Sequence, residues 1–332
     1  MKICMYGAGA VGGHIGGRLA EAGAIVSIIE RGDNIAILRE QGLRVETKEG
    51  VLHSRPAVTD KPETLGPQDV VIVALKAPSL PQAAHGLPPL LKPSSLVVFI
   101  GNGIPWWYFQ GHAGPLGGRR LSQLDPGDVL WNAVGSDKVV GAVAYTASTV
   151  IGPGIVRATN ARNRIILGRP DGSSDARLDE LAAVMVGGGL EVDVSKDIRN
   201  AVWGKLVSNL VGGSIGLLTS STTGEALASP VLKAAARGAA REAAAIAAGL
   251  GCDAGDVEAA IVRLAASVHT QSISQDLEWK RPMEIDALLL APLELARLTG
   301  VPTPTLDLIV ALCVQRARAA GLYGYKTPTT IQ

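Results

Sequence analysis

The sequence predicts an α/β chain, with a doubly wound parallel sheet first and an all-α part second. Three observations carry this. Short, β-branched apolar runs alternate with helical patterns through the first half. A glycine-rich turn follows the first of those runs. After about residue 196, pattern and capping signals give only helices. The chain therefore divides into 1–195 and 196–332, and 332 residues is about two domains by length.

The elements follow in order. Residues 3–6, 25–29, 70–75 and 96–100 read as buried strands, short and rich in Val and Ile. Helical patterns over 11–22 and 34–40 lie between them. Residues 139–145 and 164–167 add strands, followed by a helix over 178–186 and a strand over 190–194. Asp197 is placed to cap a long helix from Ile198. Ser229 before Pro230 opens an Ala-rich helix to about residue 248. Further helices are expected over 256–268, over 284–299 with Pro292 kinking it, and over 305–320 between Pro304 and Gly321. No internal repeat is present.

Composition excludes several classes. The formal charge is +1 and charged residues are 18%, so no long-range field draws in nucleic acid. Hydrophobic residues at 47% exclude wholesale disorder. Cys4, Cys252 and Cys313 are scattered and form no Cys-x-x-Cys pair, which indicates neither a disulfide framework nor a zinc knuckle. The five histidines show no metal-ligand spacing, so no metal is expected. The start is too short in apolar residues for a signal peptide. The uncharged runs 93–118 and 206–224 are broken by Pro and Gly or by polar residues, and make poor membrane spans. A cytoplasmic protein is expected, with no nucleic-acid or membrane partner. The Ala-rich helices leave two readings, a homodimer interface or internal packing.

Glycine is the outlier, 40 of 332 residues, about 12% against a usual ~7%. Six of these glycines fall in the first 17 residues. Gly7-x-Gly9-x-x-Gly12 follows a strand and opens a helix. The first glycine allows the tight turn, the second lets backbone approach a pyrophosphate, and the third lets helix and strand pack closely. The helix start then offers free N–H groups to phosphates. Strand, turn, helix and next strand agree on a Rossmann-type dinucleotide site. Glu30 and Arg31 end the second strand. An acid there takes a ribose hydroxyl and favours NAD, whereas an Arg accommodates a 2′-phosphate and favours NADP. The sequence has both, so the residues alone leave the cofactor open. Lys76 follows the third strand at its carboxyl edge, as a ligand group or a surface Lys.

Two constellations stand out in the second half. Lys205 and Asn209 are four apart on a mostly apolar helix, hence on one face. Such a Lys is either snorkelling or tuned by its surroundings into a general acid. The stretch from Ser272 through Asp276 to Glu284 and Asp286 is polar and then opens an apolar helix. Glu284 there either serves the helix dipole or orients Lys205 and ligand hydroxyls.

Together these pieces resemble the ketopantoate reductase family. The likeness rests on GAGAVGG at the start, LKA at 75–77, NG at 102–103, W-x-K-L-x-x-N at 203–209, and S-x-x-Q-D followed by E-I-D over 272–286. It spans essentially the whole chain. The resemblance implies a Rossmann-type NADP-binding domain and a helical catalytic domain. It implies NADPH-dependent reduction of 2-dehydropantoate to (R)-pantoate, within pantothenate and coenzyme A biosynthesis. By position, Lys205 is implied as proton donor and Glu284 as the acid that completes the active centre beside the cofactor. Asn102, Asn209 and Ser272 are implied to bind substrate, with Asn102 also touching nicotinamide. Gly7, Ala8, Gly9, Ala10, Val11 and Gly12 are implied as the phosphate cradle, Arg31 and Lys76 as holders of the 2′-phosphate, and Ala147 as a backbone contact to the cofactor.

The chain departs from the family at a few places. Gly213 and Thr223 stand where the family often has substrate-side Asn residues. Residues 105–135 read as an insertion, with four of the chain's 12 aromatics at 106–109. Those rings either anchor the loop on its domain or wall the substrate pocket. These departures bear on the preferred substrate. The alternatives are a reductase of another branched 2-oxo acid, an opine-type dehydrogenase, or a non-catalytic dinucleotide sensor. The joint presence of Lys205, Asn209, Ser272 and Glu284 argues against the sensor.

Overall fold

The computed structural model describes residues 1–160 and 162–324. The chain forms two compact units. One comprises Met1–Gly101 with Trp106–Ile198, and the other comprises Asn102–Pro105 with Arg199 onward. The break thus falls just inside the long helix that starts at Ile198. The short piece Asn102–Pro105 is given to the second unit, which no local pattern in the sequence signals.

The first unit runs β1 (Lys2–Tyr6), α1 (Ala10–Glu21), β2 (Ile25–Ile29), α2 (Asn34–Gln41), β3 (Leu43–Glu46), β4 (Val51–Ser54) and β5 (Ala57–Thr59). It continues through β6 (Val70–Val73), the single turn α3 (Leu80–Ala83), β7 (Leu96–Ile100), α4 (Val129–Val134), β8 (Val139–Tyr145), β9 (Ser148–Gly152) and β10 (Ile155–Ala158). It ends with β11 (Arg164–Gly168), α5 (Ala176–Gly187) and β12 (Glu191–Val194). The main sheet has the order β12-β11-β8-β7-β6-β1-β2-β5. From β1 the chain goes first to β2 on one side and later to β6 on the other. This reversal opens a crevice at the carboxyl ends of the strands, where ligands bind in such sheets.

Two features differ from the expectation. The sheet is mixed, because β11 runs antiparallel to β8. The chain between them folds as the β9–β10 hairpin instead of a crossover helix, and a hairpin lets it return in the opposite direction. A second sheet, β4-β3-β10-β9, is also present. Its strands are at most five residues long, and β3 pairs with β10 from more than a hundred positions away. Short runs of this kind carry little periodicity.

Helix α1 lies between the two sheets. A Cβ at Gly16 would meet Met5 of β1 at 3.0 Å, and one at Gly17 would meet Val45 of β3 at 2.6 Å. The helix also buries a polar network. His14 is fully buried and Arg18 is nearly so. Arg18 Nε donates to His14 Nε2 at 2.9 Å, so the ring proton sits on Nδ1 and is donated to Thr146 Oγ1 at 3.1 Å. Thr146 donates onward to Asn163 Oδ1 at 2.9 Å. Burial, aided by the Arg18 charge, pushes the His14 imidazole down to about 4.

The aromatic stretch settles between its two readings. Trp106, Trp107, Tyr108 and Phe109 are each at most 2% exposed, and they belong to the first unit. Trp106 packs edge-on against Phe99 of β7 at 5.1 Å and against Trp131 of α4 at 6.3 Å. The pocket-wall reading is therefore corrected. Each ring gains more from burying about 150–250 Å² than a solvent-facing wall would allow.

The second unit runs α6 (Ile198–Thr219), α7 (Thr223–Leu227), α8 (Pro230–Gly249), α9 (Val257–Ala265), α10 (Ser272–Glu278), a π-helical turn (Asp286–Leu290), α11 (Ala291–Thr299) and α12 (Pro304–Ala319). Ser229 Oγ accepts from Leu232 N–H and Pro230 opens α8, as the capping signal predicts. Ala236, Ala239, Ala240, Ala243 and Ala247 are buried, so this face of α8 serves internal packing. Helix α7 was not expected. It is fixed by a capping box in which Thr222 and Glu225 satisfy each other's backbone N–H groups. Among the described residues, α6 is the one helix long and apolar enough to cross a membrane by length and composition, yet 67% of its most apolar stretch is buried inside the structure.

Candidate active site

Two groups of predicted residues are built, one in each unit. In the first unit, Gly7 follows β1 with φ +99°, a value open to glycine. Its N–H donates to Ile29 O at 2.9 Å, which ties the turn to β2. A Cβ at Gly12 would sit 2.2 Å from Gly7 O, so only glycine permits this packing. At Gly9 a Cβ would meet nothing within 4 Å, and Gly9 caps α1 with no side-chain bond. The first N–H groups of α1, from Ala10 and Val11 onward, therefore face an open cradle. This fits a dinucleotide pyrophosphate.

Glu30 and Arg31 play different parts. The Glu30 carboxylate accepts from Ala8 N–H at 3.0 Å and from Arg31 N–H at 2.9 Å, which braces the loop. The Arg31 side chain is exposed. Lys76 is half-buried just past β6. Ala147 follows β8, and its carbonyl accepts from Thr159 N–H at 2.9 Å.

In the second unit, Lys205 and Asn209 lie one turn apart on α6. The Lys205 residue is half-buried, flanked by buried Trp203, Leu206 and Val207. Burial of its ammonium end pushes it down to about 8, while the nearby Glu284 charge works the other way. Asn209 Nδ2 donates to Asn102 Oδ1 at 3.4 Å, and Asn102 Nδ2 donates to Glu284 Oε2 at 3.3 Å. Glu284 is 5% exposed. Lys205, Asn209, Asn102 and Glu284 thus form one cluster, drawn from three distant stretches of chain. Ser272 stands exposed at the start of α10, outside that hydrogen-bonded chain.

The π-helical turn explains how Asn102 reaches the cluster. The N–H of Ala291 bonds Asp286 O, five residues back. The next donor in that register is position 292, and Pro292 has no N–H. The Ala287 carbonyl is left for another partner and accepts from Ile104 N–H at 2.9 Å. Gly103, at φ +84°, lies against the same residue, where a Cβ would be 2.4 Å from Ala287 O. The loop 102–105 is thereby pinned to the helical unit, with Asn102 against Glu284. The expected kink at Pro292 is realised as this wider turn.

At Gly213, one turn beyond Asn209, a Cβ would lie 3.1 Å from Ile273 Cγ2. Ile273 of α10 covers that position. Thr223 is fully buried, and its hydroxyl has no hydrogen-bond partner among the described residues.

The family model described as Ketopantoate reductase PanE/ApbA matches residues 3–172, and its C-terminal counterpart matches residues 197–317. The chain belongs to the ketopantoate reductase family. It is 42% identical over 328 residues to a 2-dehydropantoate 2-reductase of Mesorhizobium japonicum, spanning 97% of this chain and 100% of that one. A crystal structure from Ralstonia solanacearum MolK2, of a protein proposed to be a ketopantoate reductase, superposes with a TM-score of 0.91 at 37% identity. That match covers 97% of this chain and 99% of the other. The ternary structure of D-mandelate dehydrogenase with NADH and anilino(oxo)acetate has a TM-score of 0.83 at 20% identity, with 97% and 100% covered, and shares the fold. As a ketopantoate reductase family member, the chain is a dinucleotide-binding oxidoreductase that acts on a small keto acid.

Sequence reasoning missed the part that Gly103 and Pro292 play in this site. Pro292 was visible as a helix-breaking signal, and Gly103 as part of the NG pair. What they touch was not.

Proposed function

We propose that the chain is an NADPH-dependent 2-dehydropantoate 2-reductase that forms (R)-pantoate for pantothenate and coenzyme A synthesis. The observation that carries this is the Lys205–Asn209–Asn102–Glu284 cluster, a tuned ammonium among amide and carboxylate groups. When bound, the reduced nicotinamide supplies a hydride to the carbonyl carbon. Lys205 gives a proton to the carbonyl oxygen and leaves as a neutral amine, which solvent reprotonates. With its ammonium at about 8, it is protonated in roughly tenfold excess at about pH 7. Its charge also stabilises the developing alkoxide. Asn102 and Asn209 orient the substrate, and Ser272 meets its carboxylate. Glu284 holds Asn102 and keeps a negative charge near Lys205. Gly7, Ala8, Gly9, Ala10, Val11 and Gly12 cradle the pyrophosphate, Arg31 and Lys76 hold the 2′-phosphate, and Ala147 lends a backbone contact. In this reading the enzyme works in the cytoplasm, where the thiols of Cys4, Cys252 and Cys313 stay reduced.

A second reading keeps the reaction and changes the acid. Ile273 covering Gly213, together with the buried Thr223, favours another branched 2-oxo acid as substrate. Steady-state assays with 2-dehydropantoate and a panel of branched 2-oxo acids, each with NADPH and NADH, decide between them. The primary reading expects 2-dehydropantoate with NADPH to give the highest kcat/KM. A higher value for another acid moves the assignment to the second reading.

A further inference from the structure

Asp286 stands two residues after Glu284 and directly before Ala287. Its backbone and its side chain are held from different directions. The carbonyl accepts from Ala291 N–H, which makes the turn π-helical. The carboxylate Oδ1 accepts from the Tyr323 hydroxyl at 2.7 Å, 37 positions along the chain.

Tyr323 reaches Asp286 because of how α12 ends. Gly321 takes φ +71°, a left-handed value that suits glycine. Gly321 N–H donates to Arg318 O at 2.9 Å, and Leu322 N–H donates to Ala317 O at 3.0 Å. These two bonds form a Schellman cap, which turns the chain sharply as it leaves the helix. Tyr323 is the next residue. The Arg318 guanidinium carbon lies 5.9 Å from the centre of its ring, within cation–π range. Burial, reinforced by Asp286, pushes the phenol above its ordinary value, so the hydroxyl keeps its proton and remains a donor.

The register of the turn decides whether the loop 102–105 is held. In an ordinary α-helix Ala291 N–H would bond the carbonyl four residues back, which is Ala287 O. That carbonyl is the acceptor of Ile104 N–H at 2.9 Å. Only while Ala291 N–H stays on Asp286 O does Ala287 O serve the loop alone. A charge-assisted bond on the Asp286 side chain holds this residue in place and opposes a slip to the α register.

We propose that Tyr323 is a positioning residue for the reaction, whose hydroxyl fixes Asp286 and so keeps the Ala287 carbonyl for the loop that carries Asn102. The proposal rests on the reading of Asn102 and Glu284 as working groups of a 2-oxo acid reductase.

The test measures kcat with NADPH and the 2-oxo acid that the wild type reduces best, and NADPH affinity and stoichiometry by fluorescence titration. The proteins are the wild type, Tyr323→Phe, Asp286→Ala, Asp286→Asn, Gly103→Ala, the Tyr323→Phe/Gly103→Ala double variant and Lys205→Ala. Tyr323→Phe keeps the ring and removes one hydrogen bond to a charged group, so kcat is expected to fall roughly tenfold. NADPH still binds at full stoichiometry and with wild-type affinity. Asp286→Ala shows the same loss, whereas Asp286→Asn keeps an oxygen that accepts from the hydroxyl and recovers most of the wild-type kcat. In the double variant, Tyr323→Phe adds little to the loss from Gly103→Ala, because the loop is already displaced. Wild-type kcat in Tyr323→Phe, with Lys205→Ala and Gly103→Ala impaired, overturns the role of Tyr323 and leaves the reading of the site standing. Undiminished kcat in Lys205→Ala overturns that reading and the proposal with it. NADPH stoichiometry falling in step with kcat shows lost folded protein, and full additivity in the double variant shows a route that bypasses the loop. Either result overturns the proposal, as does a loss in Asp286→Asn equal to that in Tyr323→Phe.

Discussion

The glycine turn of the first unit and the Lys205 cluster of the second are built on opposite principles. The turn works through backbone. Its glycines matter because a Cβ would fill space or collide, as at Gly12 against Gly7 O. All its parts lie within one strand, one turn and one helix start. The cluster works through side chains, and its members come from α6, from the loop 102–105 and from the approach to the π-helical turn. A backbone site is written locally, whereas a side-chain site of this kind must be assembled by the fold.

Four experiments test that division, from the largest effect to the smallest. Lys205→Ala should lower kcat on the order of 10³-fold while NADPH binds as tightly as before. A parallel loss of NADPH affinity would mean that the two sites are not separable in this way.

His14 tests the first unit's buried side. Its folded-state value of about 4 lies below the ordinary 6.5, so it resists protonation only while folded. Between those values the unfolded chain binds the extra proton, and stability falls as pH drops through that window. The loss approaches about 3 kcal/mol by the lower end. Urea unfolding at neutral pH and near pH 4 should show this loss, and it should shrink in His14→Gln. The same acid loss in both proteins would remove His14 from the account.

Gly103→Ala probes assembly without touching a reacting group. Its Cβ would collide with Ala287 and shift Asn102, so kcat should fall about 10²-fold with unchanged NADPH affinity. Undiminished turnover would show that the pinned loop does not position Asn102. The smallest effect is in the pH profile. Lys205 must be an ammonium to donate, so kcat should fall as pH rises through about 8, roughly tenfold per further unit. A flat profile well above that value, when proton transfer limits turnover, would exclude Lys205 as donor.

Much of the fold was legible. The strands over Ile25–Ile29, Leu96–Ile100 and Val139–Tyr145 match the sequence pattern, because each holds at least four consecutive buried residues. Ser229 and Pro230 marked the start of α8 because capping is a local bond. The small second sheet escaped notice, since β3 finds β10 only after the chain has folded back. The buried His14–Arg18–Thr146–Asn163 network was also invisible. A polar residue on an amphipathic helix looks the same whether it meets water or a partner from another element.

The sequence by itself determined the alternating α/β plan, the glycine cradle, the one-turn spacing of Lys205 and Asn209, and the break at Pro292. Each of these rests on geometry that repeats within a few residues: the pleat, the helical turn, or the missing N–H of proline. Only the tertiary structure decided that the four aromatics at 106–109 are core, that Glu30 braces the glycine loop, and that Asn102 meets Glu284. The last two residues are 182 positions apart. No local preference acts over that distance. The Ala287 carbonyl that Pro292 leaves without a helical donor, and the space that Gly103 leaves for it, bring the two together.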